Sequence, residues 1–249
     1  MQLQRCLSLI MEDHGLSKKE VERALKFEGY GRKTAPYWFI GMEEGGGSIE
    51  ELRKRARLFK PVEDLHSSLA KIGLDTKYRH VPTWRVMSKL IMKMQGTPGW
   101  QETSSAREYQ ANKLGRADGD TFLTELMPFP CPGLGEWPYE SIYPTKDDYI
   151  EKVRPCRIKW LRSEFLAFQP CFVICYGKGN WRHYEKIFCD FEFRPELNGK
   201  IRVGQRGRST ILLLPFLFYF HVTAALIEQI AHQFGWKNIE AALKEYEET

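Results

Sequence analysis

The stretch Tyr37–Ser48 reads YWFIGMEEGGGS. Its first five residues are apolar or small, which is the pattern of a short buried strand. Glu43 and Glu44 follow at the strand end, and Gly45, Gly46 and Gly47 then remove every side chain from the loop. A plain turn needs one glycine or two. A longer glycine run lets a second backbone or a phosphate approach the amides without steric conflict. Ser48–Glu51 (SIEE) is a capping box, and ELRKRARLF continues as a helix. The stretch is therefore strand, loop and helix, the first half of a βα crossover.

The same alternation runs outward along the chain. Ser17–Glu20 (SKKE) caps a helix that reaches about Phe27 and is broken by Gly29–Lys33. Val62–Lys71, Pro82–Gln95 and Thr103–Leu114 read as helices, with Pro82 tolerated in a first turn. Thr121–Leu126 (TFLTEL) is a second strand, running into the irregular PFPCPGLGEWPY. A long helix spans Thr145–Phe168, a third strand Cys171–Tyr176, and a helix from the glycines at 177 and 179 to Phe188. Segments 192–196 and 200–203 are weaker strand candidates. Thr210–Leu214 is a fourth apolar strand, Phe216–His221 an irregular continuation, and Thr223–Phe234 and Trp236–Tyr246 are helices. Apolar strands separated by amphipathic helices imply a parallel sheet covered on both faces. The expected fold is a three-layer α/β/α sandwich around a central, mainly parallel four-stranded sheet. One domain, residues 1–249, is expected, with 1–35 as a helical N-terminal extension.

Composition sets the outer limits. A chain of 249 residues with 43% hydrophobic and 13% aromatic content buries a substantial core. The net charge of +5 permits a nucleic-acid partner without demanding one. Cys6, Cys131, Cys156, Cys171, Cys175 and Cys189 form no CxxC pair, so neither a zinc nor an iron–sulfur ligand set is expected, and no cofactor. Scattered cysteines suit a reducing cytoplasm. The N-terminal apolar patch is too short and too acid-flanked for a signal peptide. The run Ile211–Phe220 is half the length of a membrane span and holds Pro215. A soluble, cytoplasmic, monomeric protein is expected.

In parallel sheets ligands bind at the carboxyl ends of the strands. Four features land there: GMEEGGG, TELMPFPCP, YGKGNW and FYFHVT. Glu43 and Glu44 are either solvated acids near a helix N-terminus or carboxylates that activate water and stabilise a positive transition state. His221 is either a structural imidazole or a donor to a developing anion at the same edge. Basic runs at 53–60 and 152–162 read as solvated helix faces. The Gly/Arg segment KIRVGQRGR (200–208), with Arg206 and Arg208, can instead follow a phosphate backbone. Phe129, Trp137 and Tyr139 are core residues or base-stacking candidates. The amides around Lys178, in YGKGNW, can hold a phosphate or simply make a tight turn.

These positions, in this order, resemble the uracil-DNA glycosylase superfamily. FIGMEEG (39–45) is similar to that family's first motif, FLTELMPFPCP (122–132) to its central strand and loop, FQPCFVICYGKGNW (168–181) to its strand leading into G-K-x-x-W, and FHVTAAL (220–226) to its second motif. The resemblance spans roughly residues 37–234. It implies a base-excision repair enzyme that hydrolyses the N-glycosidic bond of a flipped uracil or other deaminated base in single- or double-stranded DNA. Glu43 falls where some branches carry a water-positioning asparagine; counted against the branch with a motif glutamate, Met42 takes that place. Glu43 is then the catalytic carboxylate and His221 the donor to the departing base. Gly41, Met42, Glu44, Gly45, Glu125, Phe129 and Phe59 become substrate-binding residues. Gly46, Gly47, Lys178, Arg206, Arg208, Thr223 and Leu226 become DNA contacts, with Leu226 entering the gap left by the flipped base.

The sequence departs from the family pattern in places. Glu44 stands where a proline is expected, Val222 follows His221 where another is expected, and Glu125 replaces a uracil-reading asparagine. An ionised glutamate accepts hydrogen bonds but donates none. This leaves three options: a different base, a protonated Glu125, or no glycosylase activity. The competing readings are a catalytically inactive nucleic-acid-binding module of the same fold and a hydrolase of small nucleosides or nucleotides.

Overall fold

The computed structural model describes residues 16–133 and 135–235. In chain order its elements begin with helix α1 (Lys18–Leu25), strands β1 (Gly29–Gly31) and β2 (Tyr37–Gly45), helix α2 (Ile49–Leu58), strand β3 (Val62–Glu63) and helices α3 (Leu65–Lys71), α4 (Pro82–Met94) and α5 (Thr103–Asn112). Strand β4 (Thr121–Cys131), helix α6 (Lys146–Phe168), strand β5 (Phe172–Tyr176) and helix α7 (Trp181–Ile187) follow. Strands β6 (Arg194–Glu196), β7 (Ile201–Arg206) and β8 (Ser209–Leu214) and helix α8 (Ala224–Phe234) complete it. The helix expected over 236–246 lies outside the described residues, as do residues 1–15 of the expected N-terminal extension.

All the strands join one mixed sheet of eight, in the order β3-β1-β4-β2-β5-β8-β7-β6. Its centre is the parallel set β4, β2, β5 and β8. These are the four apolar strands expected from the sequence. The sheet is nevertheless twice as wide as four strands, because short strands extend both sides. β1 pairs antiparallel with β4 and parallel with β3, and β7 and β6 continue antiparallel from β8. The segment Gly29–Lys33, expected only to end a helix, thus contains a strand that sits between β3 and β4. A β-carbon at Gly29 or Gly31 would collide with the carbonyl of Leu123 or Thr121, so glycine is what lets β1 approach β4. Val62–Lys71 is not one helix: β3 pairs first, and the Asp64 side chain then caps α3 by accepting from Ser67 N at 3.1 Å.

Alternation along the parallel strands divides the core. Tyr37, Phe39, Leu123, Ile174, Leu212 and Leu214 face α3, α4 and α8, which contribute Leu65, Leu90, Ile91 and Ile230. Trp38, Ile40, Phe122, Val173, Cys175 and Leu213 face α6 and α7, which contribute Leu161, Phe165, Tyr184 and Ile187. Helices therefore cover both sheet faces. Each of these large side chains contributes about 1.5–3 kcal/mol by leaving water. A third cluster joins α1 and α2 to Met127, Phe129, Tyr139 and Tyr149 beside the carboxyl end of β4. Among the described residues no helix is long and apolar enough to cross a membrane.

Candidate active site

The parallel strands β4, β2, β5 and β8 all end on one edge, and a cleft of about 540 Å³ opens there. The end of β2 supplies Glu43, Glu44 and Gly45, with Gly46 just beyond; β4 supplies Glu125 and β5 its last residue, Tyr176. Phe216, in the loop after β8, closes one side. Arg79, His80 and Trp84 close the other, from the start of α4 and the loop before it. Register explains the convergence. Gly41 pairs with Glu125 and Glu43 with Met127, so the carboxylates of Glu43 and Glu125 stand on neighbouring strands with an offset of two residues in register.

Four carboxylates line this cleft; Glu51 pairs with Arg55, and the other three each have different partners. Glu44 is fully answered. Its Oε2 accepts from the Tyr30 hydroxyl at 2.8 Å and from Arg55 Nη1 at 2.8 Å, and its Oε1 accepts from Arg55 Nη2 at 3.0 Å. Arg55 is buried and also pairs with Glu51 across one helical turn. This bidentate geometry is the strongest form of a guanidinium–carboxylate contact. Glu43 is half answered: Lys146 Nζ donates to Oε1 at 2.6 Å, while Oε2 is buried with no hydrogen-bond partner.

Glu125 is the least answered. Tyr176 donates its hydroxyl to Oε1 at 3.0 Å, and Oε2 is shielded and unpartnered. The residue as a whole is half-buried, but its carboxyl is not in water. Burial, reinforced by the negative charges of Glu44 and Glu43, pushes its pKa up to about 8, against the pull of Tyr176 and Arg157. Arg157 is itself buried, but its guanidinium donates to the backbone carbonyls of Glu125 and Glu28 and to Thr124 Oγ1, not to the Glu125 carboxylate. At neutral pH Glu125 is largely a neutral acid and can donate a hydrogen bond.

The glycines serve separate purposes. A β-carbon on Gly41 would collide with Glu125 Oε2 and the Tyr176 hydroxyl, so Gly41 makes room for the acid. Gly47, at φ +101°, packs against the Pro130 carbonyl and the Tyr139 hydroxyl, and its bareness serves the protein's own chain. Gly45 and Gly46 face open space in the cleft, and Gly46 adopts φ +95°. Those two alone of the run remain open to a ligand.

Several expected site residues lie elsewhere. His221 is exposed, lies outside the cleft lining, and its imidazole has no hydrogen-bond or ion-pair partner among the described residues. Phe129 is fully buried, stacked on Tyr149 with ring centroids 4.8 Å apart, and cannot meet a base. Met42 packs between the second and third clusters. Phe59 lines a separate pocket against Phe27. Leu226 is buried under the sheet and Thr223 is the cap of α8, so neither is free to enter a duplex. Arg206 and Arg208 flank the turn before β8, at the opposite edge from the cleft. Arg206 pairs with Asp190, and Arg208 donates to the carbonyls of Gln169 and Phe168. Lys178 is exposed beside Trp181 and outside the cleft.

Sequence reasoning missed His80, Trp84, Arg79, Tyr176 and Lys146 as site residues. Tyr176 had a signal, being the last residue of an apolar strand. The loop around His80 had none, because nothing local shows that it folds over the sheet edge. The loop after β8 exposes Phe216, Tyr219 and Phe220, with Phe220 at 80% exposure, and Tyr219 lies 6.4 Å from the His80 ring. Aromatics this exposed at a cleft mouth form a stacking surface. Among the described residues no cluster of three His, Cys, Asp or Glu side chains could hold a metal ion. No protein-family model matches the chain, and no curated protein matches its sequence.

Proposed function

We propose that this cleft hydrolyses the N-glycosidic bond of a flipped uracil or other deaminated base in DNA, in a single-domain α/β/α protein of the uracil-DNA glycosylase type. The observation that carries the reading is a pair of carboxylates on adjacent strands in opposed environments. Glu43 is compensated by Lys146, and Glu125 is held as an acid by burial. A volume of about 540 Å³ accommodates a nucleotide, and Trp84 and Phe216 provide apolar walls for a base.

In this mechanism the C1′–N bond breaks with its electron pair leaving on the base. Glu125 donates a hydrogen bond to the base oxygen that gains charge, and Tyr176 holds the Glu125 carboxyl in place. Glu43 stabilises the oxocarbenium-like sugar and orients a water. The water oxygen bonds to C1′, and its proton passes to the Glu43 carboxylate. The exposed aromatics at 216–220 stack with neighbouring bases, while Leu226, expected to enter the gap left by the flipped base, is buried.

A second reading is a hydrolase of small nucleosides. It is favoured by the placement of Arg206 and Arg208 away from the cleft and by the acid-rich cleft wall, which repels a phosphate backbone.

Single- and double-stranded oligonucleotides carrying uracil, hypoxanthine, xanthine or mismatched thymine separate these readings, scored by abasic-site formation. Cleavage lost in Glu43→Gln and Glu125→Leu supports the first reading. Activity on free nucleosides alone supports the second. Salt-sensitive binding with no cleavage of any substrate sinks both in favour of an inactive binding module.

A further inference from the structure

A second pocket, of about 460 Å³, lies between the C-terminal ends of α1 and α2 and meets the main cleft only at Arg55. Arg23, Lys26, Arg57 and Lys60 line it, and no carboxylate does. Arg57 pairs with Glu20, but the side chains of Arg23, Lys26 and Lys60 have no hydrogen-bond or ion-pair partner among the described residues. Its apolar floor holds Phe27 and Phe59, whose ring centroids lie 5.7 Å apart, and both rings are only partly buried.

Cations gather at helix C-termini simply because the macrodipole favours them there. That accounts for Arg23, Lys26 and Arg57 taken singly. It does not account for Lys60, which lies beyond α2, nor for a concave apolar floor beneath unpaired charges. Like charges converging on one hollow repel each other until an anion neutralises them. The partly exposed rings of Phe27 and Phe59 beside the cations add a surface on which a flat ring stacks.

We propose that this pocket binds a phosphate carried next to an aromatic base, as in a nucleoside monophosphate. Arg23, Lys26 and Lys60 hold the phosphate, and Phe27 and Phe59 hold the base. The pocket volume lies within the range of small-molecule sites. The proposal is independent of the reaction assigned to the cleft, because none of the cleft carboxylates takes part.

Isothermal titration of the full chain with deoxyadenosine monophosphate, inorganic phosphate and deoxyadenosine tests it. The monophosphate is expected to bind saturably and more tightly than either part alone. Lys26→Glu with Lys60→Glu is expected to weaken it by at least about tenfold, equivalent to roughly 1.4 kcal/mol. Both lysines are exposed, and Lys26→Gln with Lys60→Gln gives the same direction if charge reversal disturbs folding. Phe59→Leu is expected to weaken the monophosphate but not inorganic phosphate. A 5′-phosphorylated oligothymidylate that competes with the monophosphate places the phosphate source in a strand; failure to compete places it in a free nucleotide. Absence of saturable monophosphate binding, or binding unchanged in both lysine double variants, overturns the proposal.

Discussion

The two sides of the cleft floor treat their acids in opposite ways. On the β2 side Glu44 meets a tyrosine and both terminal nitrogens of a buried arginine. On the β4 side Glu125 meets a single tyrosine hydroxyl, and the buried Arg157 is engaged by backbone carbonyls and Thr124. A buried charge costs several kcal/mol unless it is paired and hydrogen-bonded. Glu44 therefore reads as structure: it ties the end of β2 to α2. Glu125 reads as chemistry, because the fold tolerates an under-answered acid there and raises its proton affinity in consequence. Adjacency in sequence is a poor guide to such roles. Glu43 and Glu44 are neighbours, yet one joins the reactive pair and the other joins a helix.

The sharpest way to break this contrast is at Glu125. If it acts as a neutral donor, Glu125→Leu removes the donor and nearly keeps the size, while Glu125→Gln keeps an amide donor that does not titrate. Turnover is expected to fall by about 10²–10³-fold in Glu125→Leu, the range for losing one donor to a developing oxyanion. Wild-type activity should decline as pH rises through about 8, and that limb should vanish in Glu125→Gln. Stability carries the same signature with a fixed sign. The folded pKa lies above the unfolded value of 4.5, so the native state holds its proton where the unfolded chain has released it. Stability should then fall with rising pH between 4.5 and about 8, with a slope approaching about 1.4 kcal/mol per pH unit. Urea unfolding across that window measures it, and a slope identical in wild type and Glu125→Gln would sink the assignment.

The next effect is at the other side. Glu44→Ala leaves Arg55 buried with only Glu51 as a carboxylate partner and Tyr30 without its acceptor. A loss of about 3 kcal/mol in unfolding free energy is expected, the cost of breaking a buried pair from one side. A loss below about 1 kcal/mol would show that Glu44 is as free as Glu125, and the contrast would fail.

The centre of the fold and one half of the site were legible in the sequence. The four central strands announced themselves because each is short, mostly apolar and separated from the next by helical segments, and the carboxyl-edge rule then placed Glu43 and Glu125 at the same edge. The two strands beyond β4 were not legible, whereas β6 and β7 fell on the weaker candidates at 192–196 and 200–203. β1 and β3 are three and two residues long and carry no alternation, so their pairing depends on a neighbour far away in sequence. The Glu44–Arg55 pair was hidden because it joins a strand end to a helix across a loop, where no fixed spacing applies. Lys146 reaches Glu43 from 103 positions away. His221 and the aromatics before it misled for a different reason. FLFYFH has the composition of a core segment, but there only Leu217 is buried, and packing leaves Phe216, Tyr219, Phe220 and His221 exposed.

Lys146 supplies the smallest expected effect and tests the intermediate case. It is the cation of Glu43, with side-chain exposures of 18% and 14% for the pair, and it also touches the Cys131 sulfur at 3.3 Å. Partly hydrated pairs contribute little, commonly under 1 kcal/mol. Lys146 is also the first residue of α6, where the helix dipole disfavours a positive charge, so part of any loss on its removal is returned. The capping box of Thr145 and Asp148 does not involve its side chain and stays in place. Lys146→Gln should therefore change unfolding free energy by about 1 kcal/mol or less, while the amide can still donate to Glu43. Its effect on turnover should be larger than its effect on stability, because it leaves Glu43 without a compensating charge beside Glu125. If stability falls by as much as in Glu44→Ala while turnover is untouched, Glu43 belongs with Glu44 as a structural acid. The reactive pair would then reduce to Glu125 alone.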